Sequence, residues 1–320
     1  MYKQKHAILA LAAIAATQLF ATTRYVVPAG TPGNSPASPY ETPATAANDI
    51  TTAIAACTSS DTILVAPGTY SVSATIAANQ TSLTIRSHNS QTGEEDRDNT
   101  ILDGGGTTAI MKTTANGVTI SGFTFANGYQ SSGTYSSDGS AALRPRSDQV
   151  TVSNCVFRGN RSENVIGTCI QTSNKGFRLA DCVFTNNSQT ITVSGNAPAK
   201  GAAVYIGHTY DSNWTERDMS RITGCLFDGN SAKGPYAQGP VAYIQSNTVI
   251  DDCTFLTNSF TQTDSTRSTE GAYLYLGRNS TLLNCRFSCV GFNNVGGKYL
   301  YGTIIQMTGQ DSTLSNCTFN

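Results

Sequence analysis

A short pattern of apolar and polar positions recurs along the chain from Val118 to Asn320. Its clearest copies read NCVFRGN, DCVFTNN, GCLFDGN, DCTFLTN, NCRFSCV and NCTFN, with their cysteines at Cys155, Cys182, Cys225, Cys253, Cys285 and Cys317. An aliphatic residue stands three positions before each cysteine, and a phenylalanine stands two positions after it. An earlier copy, VTISGFTFANG, has Phe123 in the cysteine position. Agreement in several columns over seven copies indicates a structural repeat.

The spacing of the copies favours a solenoid. Successive cysteines lie 27, 43, 28, 32 and 32 residues apart. A unit of this size cannot bury its own apolar face and gains a core by stacking on its neighbours. A second β-type segment recurs as AVYIG, VAYIQ, AYLYLG and GTIIQM. Equivalent residues of adjacent coils in a parallel β-solenoid lie ~4.8 Å apart, so each side chain meets its own counterpart. The pattern therefore predicts an all-β parallel solenoid.

Two polar columns of the repeat predict turns. The position before the cysteine is always Asn, Asp or Gly, which are residues that tolerate unusual backbone angles. The asparagine that follows the phenylalanine, such as Asn230, is also expected at a turn. We therefore expect replacement of Asn230 to cost less stability than replacement of the stacked Phe227.

The N-terminal part of the chain predicts three segments. Residues 1–23 combine Lys3 and Lys5 with a short apolar run and small residues, which is typical of a secretory signal peptide. Residues 24–60 hold a proline-rich loop followed by ATAANDITTAIAAC, whose apolar spacing predicts a capping helix of about three turns. Residues 61–320 form the predicted β-helix, beginning with strands broken by a Pro-Gly turn. The repeat ends within a coil at Asn320, so we expect the native protein to continue beyond it.

The composition argues against nucleic-acid binding but does not decide whether the cysteines form disulfides. Only 13% of the residues are charged and the formal net charge is −1, so no basic surface for a nucleic acid is expected. Nine cysteines in a secreted chain suggest disulfides, whereas six of them in one inward column suggest a reduced, buried ladder. The sequence has no close cluster of Cys and His residues, so it does not predict a zinc site. We predict no cofactor or metal, and calcium is an alternative that no pattern indicates.

The repeat resembles that of right-handed parallel β-helix proteins of the pectate-lyase-like superfamily. Its F-x-x-N half is also similar to the repeats of polymorphic outer membrane proteins, which are bacterial surface autotransporters and adhesins. The matching pairs are Phe157/Asn160, Phe184/Asn187, Phe227/Asn230 and Phe255/Asn258. The G-G-A-I half appears as GAAV at Gly201 and GAYL at Gly271. The resemblance implies a right-handed parallel β-helix and a secreted or outer-membrane location, with attachment through a C-terminal region beyond Asn320.

The catalytic signatures of the enzymes in this superfamily are mostly missing. The chain has only a Gly207-His208 pair, and Arg144 and Arg146 without a wider lyase pattern. One insertion after Ile206, GHTYDSNWTERDMS, departs from the repeat and contains the single tryptophan. Insertions in solenoids form loops that often bind ligands, and a tryptophan beside carboxylates suits a sugar ring. The candidate glycan-binding residues are His208, Tyr210, Asp211, Trp214, Glu216 and Arg217. The alternative is a loop without a ligand, in which the tryptophan only covers the side of the solenoid.

Two functions follow from these observations. The first is a secreted or cell-surface β-helix for adhesion, display or glycan binding, whose partner is a polysaccharide or a host-surface glycan. The second is a polysaccharide lyase or glycoside hydrolase that acts on an acidic glycan. Clustered acidic and basic residues on one outer strand face would favour the second.

Overall fold

The computed structural model describes residues 21–320 except 194, 196, 272, 289–291, 294–299 and 302–303. The predicted signal peptide therefore lies almost entirely outside the described residues. From Thr23 onward the chain forms a right-handed parallel β-helix, in which short strands stack into long parallel sheets. This confirms the predicted fold class.

Four parallel sheets form the walls of the solenoid, and we number them in the order in which one coil passes through them. Sheet 1 contains Thr23–Val26, Thr62–Val65, Thr84–Ser87, Thr119–Ser121, Thr151–Ser153, Arg178–Ala180, Ser220–Thr223, Thr248–Asp251, Thr281–Leu283 and Thr313–Ser315. Sheet 2 contains Gly68–Ser71, Thr100–Asp103, Thr124–Ala126, Val156–Arg158, Val183–Thr185, Leu226–Asp228, Thr254–Leu256, Arg286–Phe287 and Thr318–Phe319.

The other two sheets close the coils, and sheet 3 begins only at Tyr129. Sheet 3 contains Tyr129–Ser136, Arg161–Val165, Ser188–Thr190, Ser231–Gly234, Ser259–Gln262 and Phe292–Asn293. Sheet 4 contains Ile76–Ala78, Met111–Thr113, Leu143–Pro145, Ile170–Thr172, Val204–Ile206, Ala242–Ser246, Leu274–Arg278 and Ile305–Met307. A small additional sheet pairs Thr269–Glu270 with Leu300–Tyr301. We number the coils by their sheet 1 strands, so that coil 1 begins at Thr62, coil 3 at Thr119 and coil 7 at Thr248.

The apolar columns lie where the repeat predicts them. Strand pairing aligns Phe157 with Phe184 in the next coil and Val152 with Leu179. From Phe125 to Phe319 the rings of the phenylalanine column stack with centroids 4.5 to 5.2 Å apart and nearly parallel planes. Burying each of these rings contributes roughly 1.5 to 3 kcal/mol. Stacked like residues therefore form the continuous core of the solenoid.

The asparagine after the phenylalanine lies at a corner, as expected, but its side chain points inward, which the sequence did not predict. Asn230 is completely buried, and its Nδ2 donates to the Phe184 carbonyl at 2.9 Å and to Asn258 Oδ1 at 3.0 Å. Its Oδ1 accepts from the Nδ2 of Asn187 at 2.8 Å and from the Asn187 backbone N–H at 3.3 Å. The amides thus bond from coil to coil inside the corner between sheets 2 and 3. Such a buried ladder is stable because its polar atoms find partners.

The position before the cysteine is confirmed as a turn. Its residues adopt φ values between +49° and +62°, and these residues are Asn154, Asp181, Gly224, Asp252, Asn284 and Asn316. Only residues that tolerate the left-handed region occupy such positions easily. The column therefore sets the corner between sheets 1 and 2 in each coil.

The thiol column lies just after this corner. Cys155, Cys182, Cys225, Cys253 and Cys285 are buried, and all eight described cysteines are free. Each thiol of the column donates to the carbonyl oxygen two residues earlier, as Cys155 Sγ does to Ser153 at 3.1 Å. The cysteines therefore fill the core and help to close the turn.

The N-terminal cap contains a shorter helix than predicted. A 3₁₀ turn covers Pro43–Thr45, and the α-helix spans only Ile50–Ala55. The Asp49 side chain caps its start by accepting from the Thr52 backbone N–H at 2.7 Å. The Asp61 side chain stabilises the turn directly after the helix by accepting from the Thr58 backbone N–H at 2.8 Å. No described helix is long and apolar enough to cross a membrane.

Candidate functional site

The insertion predicted from the sequence forms a long loop, which we call the strap and define as residues 207–219. It connects strand Val204–Ile206 of sheet 4 in coil 5 to strand Ser220–Thr223 of sheet 1. The strap is held to the solenoid at two points. Arg217 Nε bonds Gln149 Oε1 at 3.5 Å in coil 3, and the Asp211 carbonyl accepts from Asn247 Nδ2 at 3.3 Å in coil 6. The strap therefore lies across several coils.

A cleft of about 670 Å³ lies between the strap and the turns of coils 3 and 4. Its lining residues are Asp148, Ser173, Asn174, Lys175, His208, Thr209, Tyr210, Asp211, Ser212 and Trp214. The structure thus brings together four of the six candidate residues. The sequence could not predict the residues of coils 3 and 4 in this cleft, because only the coil stacking places those turns beside the strap.

The other two candidates lie outside the cleft lining. Glu216 is exposed and forms an ion pair with Arg221. Arg217 is also exposed and bonds to Gln149. Both residues fix the strap to the solenoid and are not placed to contact a ligand in the cleft.

His208 is a buried support of the strap. Only 3% of its surface is exposed, and its Nδ1 and Nε2 lie 3.2 Å from Ser246 Oγ and 3.4 Å from Ser220 Oγ. Burial lowers the pKa of His208 to about 4, so the imidazole is neutral at neutral pH. Its ring contacts the Trp214 ring with centroids 4.6 Å apart. The histidine therefore holds the tryptophan in place.

Two aromatic residues of the strap lie against cations from other coils. Lys175 Nζ of coil 4 lies over the Trp214 ring at 5.0 Å from the centroid. The Arg278 guanidinium of coil 7 lies over the Tyr210 ring at 3.9 Å. Cation–π contacts of this kind orient both partners. Of these four residues, Trp214, Tyr210 and Lys175 line the cleft.

The two carboxylates of the cleft already accept backbone hydrogen bonds, Asp148 from the next coil and Asp211 from its own turn. Asp148 Oδ1 accepts from the Lys175 backbone N–H at 3.0 Å. Asp211 Oδ1 accepts from the backbone N–H and the Nδ2 of Asn213, at 2.9 and 3.1 Å. These bonds stabilise the walls of the cleft. Among the described residues, no group of three or more His, Cys, Asp and Glu side chains is arranged to hold a metal ion.

The outer face of sheet 4 carries a second group of polar side chains that the sequence analysis missed. Tyr205, Tyr243 and Tyr275 stack in successive coils with centroids 5.0 and 4.7 Å apart. Lys200 Nζ lies 4.3 Å from the Tyr243 ring centroid. Burial lowers the pKa of Lys200 to about 8, while the nearby Glu270 carboxylate acts in the opposite direction.

This group was visible in the sequence as the central tyrosines of AVYIG, VAYIQ and AYLYLG, which alternate with aliphatic residues. Lys200 and Glu270 gave no such signal, because they lie in the segments of variable length that precede the sheet 4 strands. Bridges between Ala199 and Ala237 and between Gln238 and Glu270 link their coils, coil 5 and coil 7, through coil 6.

Comparison with known proteins finds similarity only at the level of solved structures. No family profile and no curated protein matches the sequence. Solved structures similar to the chain include Escherichia coli YbhC, at 15% identity over 98% of this chain and 75% of YbhC, with a TM-score of 0.35. They also include an alginate lyase from Paenibacillus sp. str. FPU-7, at 14% identity over 80% of this chain and 96% of the lyase, with a TM-score of 0.32. At identities and TM-scores this low, neither similarity carries an argument about what the chain does.

Proposed function

We propose that this protein is an extracellular or cell-surface β-helix that binds a polysaccharide in the cleft beside the strap. The observation that supports this function is the convergence of Trp214 and Tyr210 of the strap with Lys175 of coil 4 on one cleft. Aromatic rings flanked by hydrogen-bond donors and hydroxyl groups match the apolar faces and hydroxyl groups of sugars. The rigid coils hold these groups in place before a ligand arrives, which reduces the entropy cost of binding.

The binding test uses a glycan array that includes plant, algal and host polysaccharides. Trp214→Ala should weaken binding to the recognised glycan about thirtyfold, since it removes a central aromatic contact. Glu216→Gln is the matched control, because Glu216 is on the same strap but outside the cleft lining. Binding that is equal in the wild type and Trp214→Ala would exclude this cleft as the glycan site.

A second candidate function is polysaccharide cleavage, and the outer face of sheet 4 favours it. Lys200 and Glu270 lie beside stacked tyrosines on rigid strands, and an amine with its pKa near 8 suits a general base. Cleavage of an acidic glycan would then occur at this face and not at the strap.

One assay separates the two functions. The binding function predicts no turnover of polygalacturonate, alginate or chondroitin sulfate by the purified protein. Accumulation of unsaturated uronates or new reducing ends, lost in Lys200→Met and retained in Trp214→Ala, would establish cleavage at sheet 4. Retention of that activity in Lys200→Met would assign it elsewhere.

The location outside the cell and a role in adhesion are parts of the same proposal. They are supported by the apolar, lysine-flanked segment at residues 1–23 and by the F-x-x-N repeats. Fractionation of cells that express the tagged full-length protein, with protease shaving of intact cells, tests this location. Recovery of the protein in the cytoplasm with its leader retained would contradict it.

A further inference from the structure

Two aromatic rings of the strap contact cations that come from separate points along the solenoid axis. Lys175, which contacts Trp214, follows the sheet 4 strand of coil 4, and Arg278, which contacts Tyr210, ends the sheet 4 strand of coil 7. Strand pairing relates these coils by three successive steps. Adjacent strands lie ~4.8 Å apart, so the two cations come from coils separated by roughly 14 Å.

Both cations are available to a ligand. Within the described part of the chain, neither Lys175 nor Arg278 forms an ion pair with a carboxylate. The Asp148 carboxylate accepts a hydrogen bond from the turn of the next coil, and the Asp211 carboxylate accepts one from its own turn. The rings of Trp214 and Tyr210 line the cleft, with Ser173, Thr209 and Ser212 among the other lining residues, and each ring carries one of these two cations.

We propose that the cleft binds one extended oligosaccharide of about three to four sugars, which runs parallel to the solenoid axis. Trp214 with Lys175 forms one contact point, and Tyr210 with Arg278 forms the other. One sugar of an extended chain is similar in length to one strand spacing, so a monosaccharide or disaccharide reaches only one of the two points. This inference rests on the proposed glycan-binding function and adds the size and direction of the ligand.

A ligand that reaches both points gains affinity without any new type of contact. Once one end is bound, the second contact forms within the same complex at a high effective concentration. The affinity should therefore rise steeply with chain length until both points are occupied and then stay constant.

The test follows the fluorescence of Trp214, which is the single tryptophan of the chain. Oligogalacturonates and cello-oligosaccharides of one to six units serve as an acidic and a neutral probe series. In one of the two series we expect the dissociation constant to fall at least about tenfold between two and four units, with little change beyond. Tyr210→Phe is the control that keeps the ring in contact with Arg278.

A second variant tests the contact point formed by Tyr210 and Arg278. Tyr210→Ala should reduce the affinity for the tetrasaccharide to that for the disaccharide, while the disaccharide affinity stays unchanged. Equal affinity for all lengths, an unchanged tetrasaccharide affinity in Tyr210→Ala, or no fluorescence change with either series would overturn the inference. Glycan-array binding that persists in any of these cases would leave the proposed function standing, and its loss would remove both.

Discussion

Phe227 and Asn230 occupy neighbouring inward columns of coil 6 and stabilise it in different ways. The Phe227 ring stacks between Phe184 and Phe255 at 5.0 and 4.5 Å. Phe227→Ala should lower the free energy of unfolding by ~3 to 5 kcal/mol, because it leaves a cavity between two rings. Asn230→Ala should cost a similar amount, because several buried groups lose their partners at ~1 to 3 kcal/mol each.

Equilibrium denaturation of both variants checks this comparison. Leu226→Ala is the control, since Leu226 lies on the outer side of the same strand and is only partly buried. A loss for Asn230→Ala as small as that for Leu226→Ala would show that the asparagine ladder contributes little.

His208 should make the fold less stable as the pH falls into the acidic range. Its pKa is lowered to about 4 by burial, below the usual value of about 6.5 in an unfolded chain. The unfolded state therefore binds the proton first, and stability that is complete above pH ~6.5 falls as the pH drops towards 4. The full loss is roughly 3 kcal/mol. Urea titrations at several pH values should show this slope in the wild type and not in His208→Gln; equal slopes would contradict the assignment.

At the scale of one element, the strap depends on a glycine where it leaves sheet 4. A Cβ at Gly207 would lie 2.2 Å from Cε1 of Tyr205, so Gly207→Ala must displace a ring that stacks on Tyr243. We expect a destabilisation of ~1 to 3 kcal/mol and a red shift of Trp214 emission as the strap loosens. Gly133→Ala is the control, because a Cβ there meets no atom within 4 Å. If Gly207→Ala and Gly133→Ala have the same Trp214 emission spectrum, the position of the strap does not depend on the Tyr205 ring.

At the scale of the whole molecule, the thiol column reports on unfolding of the solenoid. Cys155, Cys182, Cys225 and Cys253 are buried in consecutive coils. Labelling of the native protein with a maleimide should leave these four thiols unmodified. The four central thiols should react together only when the core opens, since stacked coils stabilise one another. Peptide mass spectrometry checks this, and early labelling of Cys182 would indicate local opening of the central coils.

The sequence by itself determined the solenoid, its columns and its corners. Like residues must stack on like residues in adjacent coils, so the inward phenylalanines and the turn residues before each cysteine recur in every copy. That constraint is local and periodic, and it can be recognised without knowing the path of the chain. It also identified the strap as the segment that departs from the repeat.

The tertiary structure alone decided which way the asparagines point and which side chains meet. Asn230 lies inward because its amide atoms reach partners in the coils on either side, which the alignment of copies does not show. Lys175 and Arg278 meet the strap, and Lys200 approaches Tyr243, because the coils bring distant residues to one edge. The loops between strands differ in length, so the spacing in the sequence does not reveal these neighbours. They follow only from the register in which the coils stack.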